Sequence, residues 1–140
     1  MTKYIEVYDN FLSSNHNYSY ERIFSGDPNI AFPWFFINNL NGTKDRGNFY
    51  FSNIAYDSIL NINDTSKYAI YEPLLNRLNI TMSNVKRIKA NLYPLSGRRM
   101  HHSTHVDYEP NQGFRTCLYY VHESNRLTIF DGKQKIKCKN

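Results

Sequence analysis

His105, Val106 and Asp107 place an imidazole and a carboxylate two positions apart. On extended backbone alternate side chains share a face, so the two groups project together and can grip one metal ion. A neutral imidazole beside a carboxylate makes up most of a facial donor set for a hard divalent metal such as non-haem Fe(II), with open positions left for other molecules. A third ligand must then come from elsewhere. His101 and His102 precede the motif, on what reads as a loop at the rim of a pocket.

The elements around this motif read mostly as strands. Val85–Tyr93 has an apolar stripe (Ile88, Ala90, Leu92) and a polar one (Arg87, Lys89, Asn91, Tyr93), the latter open to reading as a plain solvent face. His105–Tyr108 is a short strand ended by Pro110, and Gly113–Val121 is the longest. On it Phe114, Thr116, Leu118 and Tyr120 share the face suited to line a pocket. Leu127–Phe130, an Asp131–Gly132 turn and a charged edge strand over Lys133–Cys138 follow.

Upstream, Tyr4–Tyr8 alternates as a first strand, and Ser13 or Ser14 caps a helix running through Arg22–Phe24 to Gly26 and Pro28. Ile30–Ile37 is dense in aromatic residues and reads as core or lid packing. Asn48–Ala55 is a strand. Asp64, Thr65 or Ser66 caps a second helix carrying Ala69, Ile70, Leu74, Leu75 and Leu78, with Pro73 kinking it or marking a late start.

With 140 residues the chain reads as one domain, 1–84 supporting and 85–140 carrying the first strands of the core. Hydrophobic residues make up 41% and charged ones 21%, ordinary values for a globular protein. The aromatic share of 16%, mostly Tyr and Phe, favours strands. Short strands separated by turn residues point to an antiparallel jelly roll with N-terminal helices, a mainly β member of the α+β class. A net charge of +5 admits an anionic partner, whether nucleic acid or a small dicarboxylate. Cys117 and Cys138 lack metal-ligand spacing, and no apolar run has transmembrane length. The expectation is a cytoplasmic chain with no membrane partner.

Several segments also carry a resemblance. Arg87–Pro94 (RIKANLYP), His105–Asp107, Thr116–Val121 (TCLYYV) and Leu127–Phe130 (LTIF) resemble, in order and spacing, the Fe(II)/2-oxoglutarate-dependent oxygenases. The prolyl-hydroxylase-like group and its short tailed-phage versions look nearest. Phe32, Pro33 and Trp34, with Val7–Leu12, are similar to the N-terminal support region of the phage type.

The resemblance implies a double-stranded β-helix in which His105 and Asp107 ligate iron. It implies that Tyr120 hydrogen-bonds the far carboxylate of 2-oxoglutarate, with Tyr93 and Leu118 on the pocket wall. It further implies a dioxygenase reaction that hydroxylates a C–H bond, with ascorbate as an auxiliary reductant. The primary substrate, whether a protein side chain, a nucleobase or a small molecule, is not specified by it.

The family's third ligand is a histidine on the seventh core strand, and an arginine on the eighth binds 2-oxoglutarate. After Asp107 this chain has His122, Arg115 and Arg126, none at a matching position. The expectation is therefore an incomplete core lacking its last strands, as a fragment, a split enzyme completed by a second chain, or a degenerate homologue. The rival readings are a non-catalytic module whose basic strips bind nucleic acid or another acidic partner, and a zinc site of His101, His105 and Asp107.

Overall fold

The computed structural model describes residues 5–39, 47–95, 97, 101–107, 113–124, 126–130 and 133–137. Its elements are α1 (Ser14–Phe24), β1 (Phe35–Ile37), β2 (Tyr50–Asp57), β3 (Ile62–Asn63), α2 (Tyr68–Arg77), β4 (Arg87–Leu92), β5 (Leu127–Phe130) and β6 (Gln134–Lys137). Helices and antiparallel sheets are mixed, an α+β architecture, and among the described residues neither sheet closes into a barrel. The chain forms two compact units.

The first unit comprises Met1–Ala31, Ile70–Ile80 and Cys117–Asn140. Ser13 caps α1 as expected, its Oγ accepting the His16 N–H at 3.4 Å. Gly26 takes φ +82°, the left-handed conformation in which a chain leaves a helix without a Cβ clash. Tyr20 and Phe24, one turn apart, bury the same face of α1. Their rings meet Tyr119 and Tyr71 at centroid distances of 5.7 and 6.3 Å. Arg77 of α2 donates to the Phe11 carbonyl at 3.1 Å and lies over the Phe11 ring. β5 and β6 form an antiparallel pair in the register Leu127↔Lys137 and Phe130↔Gln134. The expected Asp131–Gly132 turn lies outside the described residues.

The second unit, Phe32–Ala69 with Thr81–Thr116, is built on β2. This strand pairs antiparallel with β1 at its start, β3 at its end and β4 along most of its length. A bulge between Ile54 and Tyr56 shifts the β4 register. Asn53 is buried and donates to the Pro33 carbonyl at 2.8 Å, tying β1's approach to the centre of the sheet. Asp57, also buried, accepts the Ile59 and Leu60 N–H groups at 2.9 Å and so fixes the turn out of β2.

Three expected strands are not regular ones. The expected strand Tyr4–Tyr8 has no ladder over its described residues 5–8, and neither has His105–Tyr108 over 105–107. Gly113–Val121, read as the longest strand, is likewise irregular, and its first six residues are exposed. A period-two pattern makes a strand only where a neighbour accepts its backbone hydrogen bonds, and no described strand pairs with this one. The aromatic block also departs from expectation, because Phe35 and Phe36 on β1 are largely exposed. No described helix is long and apolar enough to cross a membrane.

Candidate functional site

β4 alternates as its sequence requires. Ile88 is buried, while Arg87 and Lys89 lie half-buried on the opposite face. Across the ladder Lys89 faces Ile54 and Asn91 faces Ser52, and Tyr50 continues their face of β2. This is the face over which 101–107 runs.

Contacts at both ends fix that course. Asn48 donates its side-chain amide to the His101 carbonyl at 2.7 Å. The His102 ring packs on Tyr93 and Tyr50, at 5.2 and 6.1 Å, and those two tyrosines stack at 5.4 Å. At the other end the Asp107 carboxylate forms an ion pair with the Arg87 guanidinium. Extended backbone advances roughly 3.3 Å per residue, so 102–107 and 93–87 cover similar spans. The segment thus tracks back along the polar face of β4, with Lys89 between its two anchor points.

His105 and Asp107 project to the same side, with Nε2 and Oδ1 3.9 Å apart. The other imidazole nitrogen, Nδ1, lies 3.4 Å from the Ser103 carbonyl. A carbonyl only accepts, so that contact favours the proton on Nδ1 and leaves the Nε2 lone pair facing Asp107. Metal-binding histidines are commonly oriented in this way. The pair therefore fits two positions of a divalent-metal site by donor type, by convergence and by tautomer. Among the described residues no third His, Cys, Asp or Glu joins them. Arg87 already engages Oδ1 of Asp107, so a cation there competes with a guanidinium.

Lys89 holds its ammonium 5.3 Å from the Tyr50 ring centroid and 3.5 Å from the Tyr50 hydroxyl. Burial lowers its pKa from the ordinary lysine value, and the Arg87 charge adds to this while Asp107 opposes it. Burial likewise raises the Tyr50 phenol, with Arg87 and Asp107 acting in opposite directions.

Of the residues singled out in the sequence, His105, Asp107 and Tyr93 lie in the second unit, the first two as a pair and Tyr93 in the aromatic cluster. Leu118 and Tyr120 belong to the first unit, where Leu118 is exposed and the Tyr120 hydroxyl pairs with Thr128. His101 is exposed, and His102 is half-buried in the tyrosine cluster. His122 also lies in the first unit, its Nε2 2.9 Å from Ser25 Oγ, beside the Arg22–Asp27 ion pair and an open cleft of about 550 Å³. Arg87, Lys89 and Tyr50 were not singled out as site residues. The polar stripe on Val85–Tyr93 was the one visible signal for Arg87 and Lys89.

No protein-family model, curated protein or solved structure matches the chain.

Proposed function

We propose that the second unit carries the iron-binding part of an Fe(II)/2-oxoglutarate-dependent oxygenase, with β4 and the irregular segment 101–107 at the opening of its core. The observation that carries this reading is the convergence of His105 Nε2 and Asp107 Oδ1 on one side of an extended segment, over the polar face of its neighbour. In this reading those two side chains hold the metal, and the remaining donor comes from outside the described residues. Bound Fe(II) would supply the oxidising power to hydroxylate a C–H bond at the expense of O2 and the 2-oxo acid.

The chain's own contributions are positional. Ser103 holds the His105 tautomer through its carbonyl, and Arg87 anchors the Asp107 side chain to β4. Tyr50, Tyr93 and His102 form an aromatic cluster beside Lys89.

The test is iron-dependent conversion of 2-oxoglutarate to succinate by the purified chain under air. Turnover in the wild type that disappears in His105→Ala and Asp107→Ala supports the reading. Equal turnover in the variants rules out this pair. A second reading, binding of an anionic polymer, draws on the exposed Lys133, Lys135 and Lys137 in and beside β6. Retention of DNA or RNA that weakens steeply with salt, without succinate formation, would favour it.

A further inference from the structure

We propose that Lys89 and the Tyr50 hydroxyl form a seat for the carboxylate of a small organic acid, walled by Tyr93 and His102. The charges are the first ground. Arg87 and Lys89 bring two positive charges to one face of β4, and Asp107 returns one negative charge, leaving one positive charge on that face. Asp107 is claimed by Arg87, and among the described residues no carboxylate forms an ion pair with Lys89. A half-buried ammonium has lost part of its hydration and needs a compensating partner. The ring and hydroxyl of Tyr50 compensate it only in part.

Geometry is the second ground. Lys89 Nζ and Tyr50 Oη, 3.5 Å apart, are two donors that the two oxygens of one carboxylate can take together. The half-buried Tyr93, stacked on the buried Tyr50 and packed against His102, is the aromatic ring nearest a carbon skeleton placed there. A singly charged, planar carboxylate matches the one surplus positive charge. A phosphate dianion concentrates both charges at the seat beside Asp107, whereas a dicarboxylate carries its second charge several bonds away.

The seat lies on the face of β4 that also carries the Arg87–Asp107 ion pair. Where the oxygenase reading holds, its occupant is the 2-oxo acid of that reaction, and that assignment rests on that reading. The seat itself needs no metal, which allows the two ideas to be separated.

The experiment is calorimetric titration of the metal-free full chain with 2-oxoglutarate, succinate and inorganic phosphate. The wild type and a His105→Ala/Asp107→Ala variant should both bind the carboxylates. Lys89→Met should weaken binding roughly tenfold or more, as expected for loss of a charged hydrogen-bond donor, with Lys89→Arg retaining most of it. Tyr50→Phe should weaken it several-fold. Near-ultraviolet circular dichroism checks that each variant keeps its packing.

Carboxylate binding by Lys89→Met equal to that of the wild type, no binding by the wild type, or equal affinity for phosphate would each overturn the proposal. Lys89-dependent binding without iron-dependent turnover would sink the oxygenase reading and leave the seat standing. Turnover unaffected by Lys89→Met would do the reverse.

Discussion

One oxygen of Asp107 serves two neighbours. Its Oδ1 takes the Arg87 guanidinium and lies 3.9 Å from His105 Nε2, so the residue joining 101–107 to β4 is also half of the candidate metal pair. Arg87→Met keeps most of the aliphatic stem and removes the charge. The ion pair is partly exposed, so unfolding free energy should fall by no more than about 1 kcal/mol, read from urea denaturation. Divalent-cation affinity should rise about five- to tenfold, because a competing and repelling positive charge is gone. Weaker cation binding in this variant would show that Arg87 holds Asp107 in place for the metal instead of opposing it.

His105→Ala and Asp107→Ala should each abolish stoichiometric Fe(II) or Mn(II) binding, measured anaerobically. Both residues are exposed and lie outside the regular strands, so the cost to the fold should stay within about 1 kcal/mol. Unchanged metal affinity in both variants would place any metal site elsewhere in the chain.

Lys89 gives a pH signature with a definite sign. Its pKa is lowered in the folded protein, first by burial and then by Arg87, so folding penalises its charged form. Between the folded value and the ordinary 10.5, the unfolded chain binds the extra proton, and stability from this group rises with pH. The penalty is present in full below the folded value and vanishes above the ordinary one. Lys89→Met should therefore be at least as stable as the wild type at neutral pH, with the gap narrowing towards pH 10.5. A variant clearly less stable at neutral pH would mean that the ammonium is better compensated than by Tyr50 alone.

What the sequence reveals divides by the range of the interaction. α1 was legible because its Ser13 cap and Gly26 exit are local signals, and β2 and β4 because their alternation meets a partner with matching register. Gly113–Val121 carries the same alternation and failed as a strand, since no local pattern announces whether a neighbour will be there. The His105–Asp107 pairing was readable from two-residue spacing alone. The Tyr50–Tyr93–His102 cluster and the Arg87–Asp107 ion pair join distant segments, and only the paired sheet brings them together.

The tyrosine core of the first unit sets an alkaline limit on stability. Burial pushes the Tyr20 phenol up to about 12, and it raises Tyr71 further, with Tyr20 adding to the effect. Both values lie above the ordinary 10.0, so their contribution is intact below that pH and is lost as pH rises through the folded values. The physical reason is that the unfolded phenols ionise while the buried ones cannot. Ultraviolet titration should show these two tyrosines forming phenolate only as the unit unfolds.

Among the described residues the Tyr71 hydroxyl has no hydrogen-bond partner, so it is buried at a cost that Phe would not incur. Tyr71→Phe should leave stability unchanged or raise it by up to about 1 kcal/mol, and should make the alkaline decline shallower. A loss larger than about 1 kcal/mol would instead identify a hydrogen bond to that hydroxyl.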